Sequence, residues 1–327
     1  MKLVALPEET DRPLSFYLAE EEWLAAHFPS GSYFFIWQVK PSVICGRNQL
    51  MAREVNLDFC REHGIRVYRR KSGGGAVYAD DNNLMLSLVT DTESDVVTTF
   101  SAYTSMVARS LRMLGLDASD NSRNDVLIGD RKVSGNSYLH LPGGRCIVHG
   151  TMLWSCDPET MLGALTPSTA KLQSHGVRSV RSRVTTIREH LPGLSRDDFR
   201  RHLLSTIPDE ETITLTPDDV AEIERIAEGY HRPEWLDDRN PPATLRASAR
   251  FDGVGEVGVH LRLHGGRITE FDLSGDFLET ADAASAIRKA LRDTEFTPSA
   301  ISAALDRVDI PSLIPGLDKQ SLMTLIL

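Results

Sequence analysis

Three stretches of this 327-residue chain carry residue types suited to holding phosphate beside an acyl group. The first is Arg69-Arg70-Lys71-Ser72-Gly73-Gly74-Gly75-Ala76-Val77. Three successive glycines bring backbone N–H groups close to a ligand without Cβ interference and can take positive φ. A bare glycine run equally marks a plain hairpin; the two arginines and the lysine upstream shift the reading to an anion cradle. The second stretch runs from Asn124-Asp125 to Lys132, Ser134 and Gly135, with Gly129-Asp130 as the tip of a hairpin. The third, residues 171–184, repeats basic residues without an acidic partner and reads either as a solvated loop or as a strip closing over an anion. Such a set suits a phosphoric mixed anhydride. Arginine and backbone amides would hold the phosphate, the carboxylate of Asp125 could hold Mg²⁺, and Lys132 could bridge phosphate and acyl oxygens as charge builds.

The elements that must position these residues read as follows. Leu14 to Leu24 has helical spacing and is expected as an amphipathic helix ending before Pro29-Ser30-Gly31. Residues 32–39 and 42–46 are expected as strands joined through Lys40-Pro41, and residues 56–63 as a short helix stopped by Gly64. Strands at 65–68 and 84–89 flank the glycine loop, a helix covers 98–114, and a strand carrying His149 covers 145–154. By itself that histidine reads as structural. A short helix follows Asp157-Pro158-Glu159; helices are expected over 196–204 and 217–230, the latter opened by Thr216-Pro217. The loop Asp237-Asp238-Arg239-Asn240-Pro241-Pro242 breaks the pattern and is taken as a domain boundary, giving units 1–242 and 243–327. Beyond it a hairpin turning at His264-Gly265-Gly266 and helices over 282–291 and 298–308 complete a second, smaller unit. Two units also suit the length, since single cores seldom grow past ~250–300 residues.

Composition excludes several classes. A net charge of −10 argues against general nucleic-acid binding, which draws on a broad excess of Lys and Arg. No apolar run approaches the ~20 residues needed to span a bilayer, and the acidic start Pro7-Glu8-Glu9-Thr10-Asp11 lacks signal-peptide features, so a cytoplasmic protein without a membrane partner is expected. Cys45, Cys60, Cys146 and Cys156 have no CxxC spacing and read as reduced thiols, with no structural metal. The GxxxxGK[ST] spacing of a P-loop is absent and no GxGxxG opens a helix in a βαβ unit, and there is neither a GxSxG elbow nor an HExxH.

With these residues in place, the chain resembles the lipoate–protein ligases. RRKSGGGAVYADDNNLMLSLV, NDVLIGDRKVSGNSY, HGTMLW and KLQSHGVRSVRSRVTTI match that family's signatures in order, PSVICGRNQ and the LAEEE helix fit its N-terminal region, and SGDF with the following helices is similar to the C-terminal domain of its two-domain members. The resemblance implies an α+β fold with mixed and antiparallel sheets and flanking helices, shared with biotin ligases, plus a small α/β accessory domain. It implies ATP- and Mg²⁺-dependent activation of lipoate or octanoate to an acyl-adenylate, and transfer to one lysine of a lipoyl domain, carried by 2-oxoacid dehydrogenase E2 subunits or the glycine-cleavage H protein. It places Arg70, Ser72, Gly74, Gly75, Ala76, Ser134, Gly135 and Lys132 around the adenylate phosphate and acyl carbonyl, with Lys132 catalytic. Asn124 and Asp125 fall at the nucleotide and metal end, Trp37 and Val77 on the lipoyl tunnel, and Val177, Arg178, Ser179, Val180, Arg181 and Arg183 in the adenylate-binding loop. The chain departs from the pattern at Tyr17, Ala79 and Asn82, where the family has Asn, His and Gly; the missing histidine removes a polar contact near the acyl end. Two rival classes stand beside this reading. An ATP-independent octanoyl or lipoyl transferase would need a nucleophilic cysteine upstream of the 124–134 hairpin, and none lies between Cys60 and Cys146. A non-catalytic lipoyl-binding module would have no use for Lys132.

Overall fold

The computed structural model describes residues 1–8, 10–92, 95–120, 124–165, 183–206, 211–237 and 245–327. Its centre is strand β2 (Tyr33–Trp37), whose sequence YFFIW is buried at every position. A strand apolar on both faces must be covered on both sides, and alternation sorts the coverage. Phe34 and Ile36 face one cluster, built with Phe100, Tyr103, Val107 and Leu111 of the helix Val96–Met113. Tyr33, Phe35 and Trp37 face a second, built with the helix Leu14–His27 and, outside it, the helix Pro217–Ala227.

Around β2 lies an eight-stranded sheet made with β1 (Lys2–Ala5), β6 (Asn83–Asp91), β7 (Ala118–Asp120), β8 (Asp125–Ile128), β9 (Arg131–Leu141), β10 (Arg145–Leu153) and β11 (Thr212–Thr214), in the order β11-β1-β2-β6-β10-β9-β8-β7. β1 pairs in parallel with both neighbours; the remaining ladders are antiparallel. A second sheet has β3 (Ser42–Cys45) in the middle, parallel to β4 (Arg66–Arg69) and antiparallel to β5 (Val77–Ala79). The two strands expected over 32–46 therefore belong to different sheets. The glycine loop is also not a hairpin, because β4 and β5 flank β3 and residues 70–76 cross over its end.

The helix Leu14–His27 is not amphipathic as expected; it is buried almost all round, Glu20 and Glu21 included. Its acids are accommodated by other elements, Glu22 by Lys71 Nζ at 2.5 Å and by the Tyr230 hydroxyl, Glu21 by His149 and Ser87. The helix Pro217–Ala227 opens with a capping box between Thr216 and Asp219, as the Thr-Pro signal predicts.

The smaller unit has a three-stranded antiparallel sheet, β12 (Leu245–Phe251), β13 (Gly255–His264) and β14 (Arg267–Gly275), covered by the helices Ala283–Leu291, Pro298–Leu305 and Lys319–Ile326 around a separate core. The boundary expected near residue 242 falls outside the described residues. This unit docks on the glycine loop: Gly74 N–H donates to Phe277 O at 2.9 Å, Gly275 N–H to Asn48 O at 2.7 Å, and Arg47 pairs with Asp282 at 2.8 Å. The architecture is α+β, mixed and antiparallel sheets with flanking helices. Among the described residues no helix is long and apolar enough to cross a membrane, and all four cysteines are free.

Candidate active site

Between the large sheet and the β3–β4–β5 sheet lies a cavity of about 640 Å³ with two unlike ends. Leu18, Trp37, Ile44, Val77 and Met85 form an apolar end. Asn124, Asp125, Asp130, Lys132 and Arg183 form a charged one, to which the accessory unit adds Arg250 and Asp276.

Lys132 lines the charged end, and the hairpin explains how it gets there. Asp125 on β8 lies opposite Gly135 on β9, and a register shift between Val126 and Leu127 places Lys132 near the turn. The lysine stem folds back along its own strand, and Nζ reaches Asp125 Oδ1 at 2.7 Å. A Cβ on residue 135 would sit 2.6 Å from both Cε and Nζ of Lys132, so the glycine is the space the lysine occupies. Asn124 donates from Nδ2 to Asn136 O, and Asn136 donates from Nδ2 to Asn124 O, each at 3.1 Å, clamping the base of the hairpin. Ser134 is fully buried, bonded to Asn136 Oδ1 rather than exposed on the cavity. Arg183 lines the charged end and Val184 bridges to Lys132, tying the end of the basic strip to the site. Val177, Arg178, Ser179, Val180 and Arg181 lie outside the described residues.

The cations of the cradle are used differently from expectation. Arg69 is buried and bonds the carbonyls of Gly46, Arg47, Gln49 and Leu236. Lys71 is turned away to Glu22 and lies over the Tyr230 ring. Arg70 borders the cavity, yet Nε donates to Ser72 Oγ, Nη1 to Ile44 O, and Nη2 to both Gly73 O and Gly75 O. Of its five N–H groups four are thus committed to shaping the loop, and one Nη1 proton is left for a ligand among the described residues. Burial lowers its pKa to about 10, which leaves it charged near neutrality. Gly74, at φ +88, lies with its Cβ position 3.0 Å from Arg70 Nη2, and Gly46 permits the loop to cross because its own Cβ would meet Gly74 O at 2.0 Å. Gly75, Ala76 and Val77 line the cavity directly.

Ser72 is 1% exposed and acts from behind the cavity wall. It begins a hydrogen-bonded string whose directions are mutually consistent. Arg70 Nε–H donates to Ser72, Ser72 donates to His149 Nε2 (2.7 Å), and His149 Nδ1–H donates to Glu21 at 2.9 Å. From the other side Trp37 Nε1–H donates to Ser87 (2.9 Å), which donates to Glu21 (2.5 Å). The string ties the glycine loop to the tryptophan of the apolar end, so His149, read from sequence as a structural residue, is that and a cavity residue too. Tyr17 stacks on Trp37 with ring centroids 4.7 Å apart, and Ala79, fully buried, packs in the same cluster. Asn82 sits after β5, its N–H held by Asp80. Besides His149, sequence reasoning missed Leu18, Met85 and Asn136, and the contributions of Arg250 and Asp276 from the second unit; for these two the chain offers no local signal.

Cysteine nucleophiles are not part of this arrangement. Burial pushes the thiols of Cys45 and Cys146 up to about 12 and that of Cys156 to about 11, so each stays protonated near neutrality.

An apolar cavity end, the Lys132–Asp125 pair and an arginine-held glycine loop suit a ligase that handles an acid with an apolar body. Residues 13–208 match the lipoyl protein ligase A/B catalytic domain and residues 240–326 the bacterial lipoate protein ligase C-terminus. The lipoate-protein ligase LplJ of Bacillus subtilis is 33% identical, covering 94% of this chain and 95% of that relative, and lipoate–protein ligase 1 of Staphylococcus aureus is 33% identical over both full lengths. A crystal structure of lipoate-protein ligase A bound with ATP aligns at TM-score 0.62 and 26% identity, covering 72% of this chain and 98% of that one. P. falciparum LipL1 in complex with lipoate shares the fold over 99% of both chains at TM-score 0.79 and 19% identity. The chain belongs to the lipoate–protein ligase family.

Proposed function

We propose that this protein activates lipoate or octanoate with ATP to an acyl-adenylate and transfers the acyl group to one lysine of a lipoyl domain. The observation that carries the reading is one cavity that holds both an apolar end and a charged end, the latter with Lys132 paired to Asp125 at 2.7 Å. The ATP-bound relative supports the nucleotide, and a Thermoplasma acidophilum bi-partite lipoate protein ligase, solved in a study of that ligase and its E2 lipoyl domain, supports the carrier class.

In the first step a carboxylate oxygen attacks the α-phosphorus and pyrophosphate leaves. The acyl chain lies between Trp37, Leu18 and Met85, with ~0.8 kcal/mol gained per methylene buried. Lys132 Nζ stands between the acyl carbonyl and α-phosphate oxygens and neutralises charge as it builds there. Gly75 and the remaining Nη1 proton of Arg70 hold phosphate oxygens. Asp125 would be the carboxylate that holds Mg²⁺. Bound there, Mg²⁺ supplies charge to the triphosphate. In the second step the neutral acceptor amine attacks the acyl carbonyl, AMP leaves, and transfer accelerates with rising pH as the amine deprotonates. We take residues 1–242 as the catalytic unit and 243–327 as its accessory.

Mass analysis of a lipoyl domain incubated with this protein and free lipoate tests the reading. The carrier gains one lipoyl group only with ATP present, and the Lys132→Ala variant gains none. Labelling without ATP would place the protein among the transferases and sink the proposal.

A further inference from the structure

On its catalytic side the charged end of the cavity carries Arg70, Lys132 and Arg183 as cations among the described residues. Arg70 has four N–H groups in protein bonds, and Lys132 is matched by Asp125. A triphosphate brings several negative charges, and a further cation stands at this end from the accessory unit. Arg250, near the end of β12, lies in register with Glu256 of β13. Asp276, just past β14, accepts the Glu256 N–H at 2.5 Å and faces the Arg250 guanidinium, Nη2 to Oδ2 at 3.2 Å. The carboxylate side chain is only 11% exposed and its Cβ lies 3.8 Å from the Cβ position of Gly75, whereas the arginine side chain remains 41% exposed. An anchored acid thus aims a solvated guanidinium across the glycine loop into the cavity, from the unit that does not carry the lysine.

Building on the ligase reading, we infer that Arg250 is a catalytic residue of the first half-reaction, contacting the β- and γ-phosphates of ATP and stabilising the departing pyrophosphate. The acyl group extends from Lys132 toward Trp37, and the hairpin side of the charged end, with Asn124 and Leu127, is left for the nucleoside. Arg250 stands opposite, beside Gly75, where the outer phosphates emerge. A planar guanidinium fork binds two phosphate oxygens at once, which an ammonium cannot. Because the pyrophosphate is gone before the acceptor lysine attacks, this contact speeds adenylation and does nothing for transfer.

The test separates the two steps in the full chain. Lipoate-dependent ATP–pyrophosphate exchange is measured for Arg250→Ala and Arg250→Lys, and transfer to a lipoyl domain is measured from chemically prepared lipoyl-adenylate. Arg250→Ala loses about ten-fold or more in exchange, Arg250→Lys falls between it and the unaltered protein, and transfer stays within about two-fold for both. Equal losses in the two steps, or exchange within about two-fold of the unaltered protein, overturn the assignment. An unaltered protein that shows no exchange at all would instead remove the ligase reading on which it rests.

Discussion

Replacing Gly135 by alanine tests whether the lysine's position, rather than its presence, is what the hairpin supplies. The added methyl would lie 2.6 Å from Lys132 Cε and Nζ, where ordinary contact begins at 3.4 Å. The far end of a flexible side chain yields more readily than backbone, so Nζ moves by about 0.8 Å or more and its pairing with Asp125 is disturbed. The effect on stability is small. The Lys132 and Asp125 side chains are 34% and 23% exposed, so their pairing is worth under about 1 kcal/mol after screening. An alanine in a strand recovers roughly 0.5–1 kcal/mol relative to glycine. The effect on rate is large, because a displacement near 1 Å at a reacting centre can cost ~10²-fold. Thermal melting together with both half-reactions is the assay, with Gly193→Ala, whose methyl meets nothing within 4 Å, as the reference. Melting should stay near the unaltered value while both steps drop about a hundred-fold. Combined with Lys132→Ala the change should add nothing, since both act through one ammonium. A Gly135→Ala protein active within about three-fold of the original would refute the reasoning.

Glu20 is 1% exposed, and burial, reinforced by the Glu21 charge and opposed by Arg12, raises its pKa from 4.5 to about 8. The folded state therefore holds a proton that the unfolded chain releases between these values, so this contribution to stability is intact below pH 4.5 and lost as pH climbs through about 8. Melting curves from pH 5 to 9 should fall by several degrees more for the native protein than for Glu20→Gln, a difference on the order of a few kcal/mol; parallel curves would dismiss the buried acid as the cause. Gly73→Ala places a methyl 2.6 Å from the Phe277 carbonyl oxygen, backbone that cannot swing aside. Hydrogen exchange of the Gly74 amide, which donates to that oxygen at 2.9 Å, should quicken about ten-fold or more as the accessory unit loosens, and unchanged protection would show that the contact does not hold the units together.

Local pattern predicted the hairpin 124–135 because its information is local: Gly129-Asp130 makes the turn, and β8 and β9 follow from it directly. The roles within the cationic run were not legible, since the carbonyls that occupy Arg69 come from Gly46, Arg47, Gln49 and Leu236 and one that occupies Arg70 from Ile44, all on other segments, and the rest of Arg70 is taken by its own loop at Ser72, Gly73 and Gly75. The helix Leu14–His27 misled for the same reason. Its helical spacing reads as amphipathic, yet Glu21 and Glu22 are satisfied by His149, Ser87, Lys71 and Tyr230, each from another element. β12 escaped notice because an edge strand with mostly exposed residues, LRASARF, has little alternation to show. The lysine, its carboxylate partner and the apolar tunnel residue Trp37 could be found from resemblance, whereas the string joining Trp37 to Arg70 exists only once β6, β10 and the first helix are packed.

Trp37 and Ile44 are only a few residues apart, yet they belong to sheets that share no ladder and form opposite walls of the cavity. The bore of the tunnel is therefore a gap between two separately hydrogen-bonded bodies, set by the side chains wedged between them. Exchanging those spacers, or Tyr17 and Ala79 that pack in the cluster around Trp37, would change the bore with every backbone bond of either sheet left intact. Such a channel is adjustable in width and fixed in register, with Lys132 keeping its place on the β8–β9 hairpin whatever the spacers.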